Sequence, residues 1–290
     1  YANLVFMKRI YIILFYLMPF TTYSQERSFQ IFNSDGEKVS YRILKQSSFN
    51  ADIVLFGENH NDPISHWLQL ELTKDLFNKH GDRLVLGAEM LESDDQLILN
   101  EYLLGMIREK DFEKEAKIWP NHDTDYRPLV SFAKENNIHF VATNIPRRFA
   151  NMVYRLGLDT LEYLPEESKQ YIAPLPILYD SSLKCYKEML NDAPHHAGEN
   201  FPKAQAIKDA TMAYFIYQNM NPGIRFLHYN GSYHSRFYES IIWYLSKLDA
   251  DLKVLTIEAV SQPNISVFNK ELIGNADYFI VVDEDMCKTH

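Results

Sequence analysis

Apolar and polar residues alternate from Ser28 to Asn33 and again from Lys38 to Arg42, on either side of Ser34-Asp35-Gly36. That turn signal between two alternating runs predicts a hairpin. Beyond it the pattern changes to short apolar runs, each followed by a helical period. Strands are expected at Asp52 to Phe56, Arg83 to Ala88 and His139 to Thr143, then at Arg225 to Tyr229, Lys253 to Val260 and Asp277 to Val282. Between them, Pro63 to Lys79 carries Trp67, Leu68, Leu70, Leu72 and Leu76 at near-helical spacing. Asp94 to Leu104, Asp111 to Ile118, Pro128 to Glu135 and Arg236 to Leu248 also read as helices. Strand signals vanish from Pro146 to Met220, where Ser181 to Leu190 and Pro202 to Asn219 have helical periods.

This rhythm predicts an α/β fold, with a mostly parallel sheet flanked by helices and a smaller helical lobe. The α/β part is expected over 25–145 and 223–290, and the lobe over 146–222. The first 24 residues stand apart. Met7-Lys8-Arg9 precedes an apolar run from Ile10 to Phe20, too short to span a bilayer. Thr22-Tyr23-Ser24 offers small residues for cleavage before Gln25, and no cysteine stands there to take a lipid. The segment reads as a signal peptide with an upstream extension before Met7, which implies a secreted or periplasmic protein with no integral span after cleavage.

Removing Lys8 and Arg9 with that segment takes the formal charge from −10 to −12. So acidic a body disfavours nucleic acid and anionic membranes, both of which need a basic face. Cys185 and Cys287 lie far apart in sequence and are expected to stay separate. Eighteen Phe, nineteen Tyr and three Trp supply large apolar faces, mostly core, that can also line a pocket for a flat ligand.

Polar residues gather where strands end. Glu58 and His60 follow Phe56-Gly57, Glu89 follows Leu86-Gly87-Ala88, Asn144 follows Thr143, and His234 follows Asn230-Gly231. In an open parallel sheet those ends share one edge, where ligands bind. Gly57 and Gly231 would let the backbone come close to a ligand. Two chemistries remain open. His60, Glu89 and His234 could hold a divalent metal with a free position for water. Without metal, a desolvated Glu58 or Glu89 would act as a general base beside a histidine. Taken singly, the carboxylates could instead cap helices and the histidines satisfy buried backbone groups; their shared position favours a site. Ser232 lacks the Gly-x-Ser-x-Gly elbow of a serine hydrolase, because His234 and Ser235 follow it.

The chain resembles the ChaN-like haem-binding family, part of a superfamily with Tiki proteases, TraB-like proteins and erythromycin esterases. The likeness rests on Phe56 to Pro63 followed by His66 and Gln69, and on the paired Gly-x-x-His motifs at Gly57 to His60 and Gly231 to His234, with Glu89. Trp119-Pro120, Tyr126 with Pro128, Val141 to Arg147, and Ala204-Gln205 followed by Asp209, Met212 and Ala213 extend it. It implies haem binding for iron acquisition at the cell envelope, and it allows a haem-sharing homodimer. Haem needs an axial Tyr or His and cations for its propionates. Tyr171, Tyr179, Tyr186, His195 and His196 are candidates for the first role, and Arg147 or Arg148 for the second. Arg147 could equally pin its turn to Asp209 or another carboxylate. The alternative reading is a hydrolase in which Glu58, His60, Glu89 and His234 prepare water to attack an ester, amide or peptide bond. A purely structural binding module leaves the repeated Gly-x-x-His placement without a reason.

Overall fold

The alternating start becomes one edge of a large sheet. In the computed structural model, which describes residues 28–192 and 198–290, β1 (Phe29–Asn33) pairs antiparallel with β2 (Lys38–Val39). The second strand is shorter than its alternation predicts, because α1 (Tyr41–Ser48) begins at once and buries Leu44 and Ser48, four residues apart on one helical face. Strands and helices then take turns: β3 (Ile53–Glu58), α2 (Pro63–His80), β4 (Leu84–Glu92), α3 (Gln96–Leu103), α4 (Glu109–Glu115), α5 (Arg127–Glu135) and β5 (His139–Asn144). The segment without strand signals forms α6 (Arg147–Leu156), α7 (Glu166–Lys169), α8 (Lys184–Asp192) and α9 (Asn200–Gln218). After it come β6 (Arg225–Gly231), α10 (Ile241–Leu248), β7 (Val254–Gln262) and β8 (Tyr278–Asp283).

The eight strands lie in the order β2-β1-β8-β7-β3-β6-β4-β5. Pairing is parallel from β8 to β5 and antiparallel at β1. Every residue of β3 is buried, as befits a central strand covered on both faces. Val54 and Phe56 pack with Leu68, Leu72 and Leu129 of α2 and α5. The alternate residues Ile53 and Leu55 pack with Met212 and Ile216 of α9 and Leu245 of α10. The period of two thus divides one strand between two cores.

The segment 146–222 is joined to the sheet through α9. Phe149, Val153, Leu161 and Ile207 make a small core of its own, while other residues of α9 lie on the sheet. Aspartate 62 starts α2 by accepting the Ile64 and Ser65 backbone N–H groups, with Pro63 in the first turn. Among the described residues no helix is long and apolar enough to cross a membrane. Cys185 is buried, Cys287 is exposed, and both are free thiols. Residues 1–24 and the pair His195-His196 lie outside the described residues.

Candidate functional site

β6 runs between β3 and β4, so the ends of three central strands meet; Glu58 is level with Gly231, and Ala88 with Tyr229. Glutamate 89 is not beyond its strand, as expected from sequence, but inside it. β4 bulges after Ala88: Ala88 pairs with Ala142, whereas Glu92 pairs with Asn144, so four steps on one strand answer two on the other. Such a bulge bends the strand, re-aims a side chain and frees backbone groups. Thr143 Oγ1 donates to the Ala88 carbonyl at 2.9 Å and Asn144 Nδ2 to the Glu89 carbonyl at 2.8 Å, satisfying the bulged backbone.

The first Gly-x-x-His motif builds a carboxylate–imidazole pair. Glu58 is 1 % exposed. Its Oε1 accepts from the Tyr126 hydroxyl at 2.7 Å and from His60 Nδ1 at 2.9 Å, and its Oε2 from Gln69 Nε2 at 2.5 Å. Three donors thus hold this carboxylate in place. Its bond to Nδ1 fixes the His60 tautomer and leaves Nε2 available toward the cavity. Burial would lower the His60 pKa, but the Glu58 hydrogen bond and the charges of Glu89 and Glu58 outweigh it and raise it. The His60 carbonyl is held by Asn121 Nδ2 at 2.8 Å and faces His66 Nε2 at 3.2 Å. Trp119 meets the His60 ring edge-on at 4.9 Å between centroids. A π-helical turn, His122–Tyr126, brings Asp125 and Tyr126 into this network.

The second motif places His234 in a carboxylate clamp. Its Nε2 lies 3.1 Å from Glu89 Oε1 and its Nδ1 2.5 Å from Asp209 Oδ1. With a carboxylate oxygen at each nitrogen the clamp favours the doubly protonated ring, while Gln205 Nε2 lies 3.0 Å from Nδ1 and 3.1 Å from Nε2. Burial would lower its pKa, yet the two carboxylates push it up to about 9. Burial would likewise raise Glu89, but His234 holds it below the usual carboxylate range. Asp209 is lifted by burial and accepts from the Tyr186 hydroxyl at 3.0 Å. The second Glu89 oxygen accepts the Gly231 N–H at 2.7 Å. Gly231 is needed for close approach: a Cβ there would sit 2.8 Å from the His60 ring. At Gly57 a Cβ would meet the Ile257 carbonyl and Ser232 Cα at 3.0 Å.

A cavity of about 1110 Å³ opens over this edge. Glu58, His60, Glu89 and His234 all line it, so the four expected site residues do converge. Trp119, Ile145, Ala150, Met189, Phe201 and Tyr233 supply its less polar walls, and Arg147, Lys208 and Lys288 its cations. Among the described residues those three cations make no ion pair; Asp209 is taken by His234 and Tyr186, so it does not pin Arg147. Arg148 is committed to Asp94 outside the cavity. Tyr186 is 1 % exposed beneath the clamp and packs with Tyr179 at 5.5 Å; neither lines the cavity. Tyr171 also lies off the wall, its carbonyl taken by Ser93.

The metal arrangement expected of His60, Glu89 and His234 meets an obstacle. Both His234 nitrogens and both Glu89 oxygens are spent on hydrogen bonds, and among the described residues no three His, Cys, Asp or Glu side chains are arranged to hold a metal ion. Gln69, Tyr126, Gln205 and Asp209, given no catalytic or haem-binding role from sequence, complete the site, and Tyr186, expected as a haem ligand, supports it from beneath. Gln205 and Asp209 had a readable signal, being polar residues one turn apart among the small and apolar residues that α9 buries. His228, fully buried between Thr143 and Asn230, is kept neutral by burial, its pKa lowered to about 4.

A family profile described as haem-binding uptake, Tiki superfamily, ChaN, matches residues 44–245. A solved structure described as cofacial heme binding to ChaN of Campylobacter jejuni is similar at a TM-score of 0.66 and 16% identity, over 89% of this chain and 98% of that one. A succinoglycan biosynthesis protein is similar at a TM-score of 0.52 and 13% identity, over 83% of this chain and 90% of that one. At such identities both likenesses speak to the fold. Protein RETICULATA-RELATED 5, chloroplastic, of Arabidopsis thaliana is 24% identical over 202 residues, which are 65% of this chain but 27% of the plant protein's length.

Proposed function

The chain belongs to the ChaN family of haem-binding uptake proteins in the Tiki superfamily, and on that premise we propose that it binds haem in the strand-end cavity and serves haem or iron acquisition at the cell envelope as an exported protein. The observation that carries this reading is the wall of the cavity itself. It combines an imidazole oriented by a buried carboxylate, apolar faces from Trp119, Ile145 and Phe201, and three cations without carboxylate partners. Asn144 Oδ1, buried at the same wall, also lacks a hydrogen-bond partner. A space of about 1110 Å³ is ample for a macrocycle beside ordinary ligand pockets of roughly 300–1,000 Å³.

Bound haem would supply an iron centre that an imidazole nitrogen or a phenol oxygen can hold. His60 is the residue we assign to that position, because a metal-binding imidazole characteristically gives its other N–H to a carboxylate, as His60 does to Glu58. Tyr233, half exposed at the same wall, is the second residue that would hold the iron. Arg147 is assigned to a propionate. Tyr179 and Tyr186 would need the clamp under α9 to open before they could reach a ligand in the cavity. The test is a hemin titration followed by absorbance: a saturable, stoichiometric Soret shift that His60→Ala or Tyr233→Phe alters in position is expected. Linear, unsaturable absorbance would overturn the reading. A homodimer sharing haem belongs to the same proposal and is checked by light scattering with and without hemin.

The Glu58–His60 pair also favours a second reading, a metal-free hydrolase of ester, amide or peptide bonds. There His60 Nε2 takes the proton of a water, and Glu58 holds the resulting imidazolium. His234 is already protonated in its clamp and serves as a fixed positive charge near the site. This reading predicts loss of turnover in His60→Ala with folding retained; undiminished turnover in that variant would sink it.

A further inference from the structure

The end of the chain is built into this same site, outside the span that the family profile matches. After β8, Met286 packs against the main core, and its N–H bonds the Asp283 carbonyl at 3.1 Å. Three residues later Thr289 is pinned twice: its N–H donates to the Asn61 carbonyl at 3.1 Å and its hydroxyl to Asp125 Oδ2 at 2.7 Å. Asp125 is 2 % exposed and is no incidental partner. The same oxygen accepts from Asn121 Nδ2 at 2.7 Å and lies 3.3 Å from His66 Nε2. Asn121 and His66 in turn hold the His60 carbonyl. One buried carboxylate therefore fixes both the loop carrying His60 and the end of the chain.

Thr289 is turned inward to Asp125, while its neighbours Lys288 and His290 both line the cavity. Lys288 and Arg147 are exposed and Lys208 is half-buried, and none of the three makes an ion pair among the described residues. Glu58, Glu89 and Glu92 also line the wall, but each already has a partner in His60, His234 or Lys117, so the three cations without ion pairs are left to meet an anion.

We propose that Met286 to His290 form a strap that completes the binding site, with Lys288 joining Arg147 and Lys208 to hold the carboxylates of an amphipathic dicarboxylate ligand. Resting on the haem reading, this assigns those carboxylates to the two propionates of a porphyrin, with Thr289 as the positioning residue that keeps the strap closed. The strap recognises the polar edge of the ligand, and His60 its centre.

The experiment compares hemin with hemin dimethyl ester, whose propionates carry no charge, on the parent protein, Lys288→Ala, Thr289→Val and Thr289→Ser. Lys288→Ala is expected to weaken hemin binding by about tenfold and to leave the dimethyl ester unchanged. Thr289→Val should speed hemin release, and Thr289→Ser, which keeps the hydroxyl, should restore the parent rate. Parent-like hemin affinity in Lys288→Ala, or an equal loss for both ligands, would overturn the strap while leaving the haem reading in place. Absence of saturable hemin binding by the parent protein would overturn both.

Discussion

The His234 clamp makes the protein's stability depend on pH in a defined direction. His234 is 4 % exposed and its folded pKa, about 9, lies above the ordinary 6.5. A raised folded pKa means that the contribution is fully present below 6.5 and is lost as pH rises through 9. The difference corresponds to about 3 kcal/mol, an order-of-magnitude figure. It describes one interaction shared by His234, Glu89 and Asp209, not a separate term for each. Glu89→Gln keeps the side-chain shape and an oxygen for the Gly231 N–H, but removes one of the two charges that raise His234. In about pH 6 buffer, where His234 is protonated, that change should cost roughly 3–5 kcal/mol, the usual result of breaking one side of a buried pair. In about pH 10 buffer His234 is neutral and the same substitution should cost less. Urea unfolding of the parent and Glu89→Gln at both pH values gives the four numbers required. Equal cost at both pH values would refute the clamp's titration, since the charge of His234 would then not change between them.

Other substitutions separate the parts of the site. Tyr126→Phe removes a hydroxyl that donates to buried Glu58 at 2.7 Å and should destabilise by roughly 1–3 kcal/mol in urea unfolding. Asn144→Ala leaves the Glu89 carbonyl of the bulge without its donor and should cost a similar roughly 1–3 kcal/mol. Gly57→Ala pushes a methyl against backbone on two sides and should lower the melting temperature, with an overpacking cost of roughly 1–3 kcal/mol. Gly231→Ala meets first the tip of the His60 ring and then the Glu89 carboxylate, so it should change the Soret position or hydrolytic turnover more than the melting temperature.

The strand–helix rhythm was legible because buried strands and amphipathic helices differ in period, and β3, β5 and β6 start within a residue of where that period puts them. Two departures have local causes. β2 gives way early to α1, since five alternating residues cannot outweigh a helix that buries Leu44 and Ser48. Glu89 lies within β4 because a bulge lengthens that strand to Glu92, and a bulge leaves little trace in hydrophobic periodicity. Convergence of Glu58, His60, Glu89 and His234 followed from strand-end placement. Their division of labour did not. Whether Glu58 is a base or a brace depends on Gln69 and Tyr126, which come from α2 and a π-helical turn whose contacts no spacing reveals. Likewise His234 becomes a fixed cation only because Asp209 of α9 faces Glu89 across it. Tyr186 illustrates the converse: it is chemically fit to bind iron, yet is spent on Asp209 below the cavity.

The most direct test of the account is hemin binding with the cavity itself obstructed. Asn151 is an exposed residue of α6 on the cavity wall, so Asn151→Trp adds bulk there without disturbing a core. A saturable Soret shift in the parent protein that is lost or greatly weakened in Asn151→Trp, with unchanged melting temperature, is the result predicted for haem held over the strand ends. Equal hemin affinity in the two proteins would contradict the claim that this cavity is the haem site.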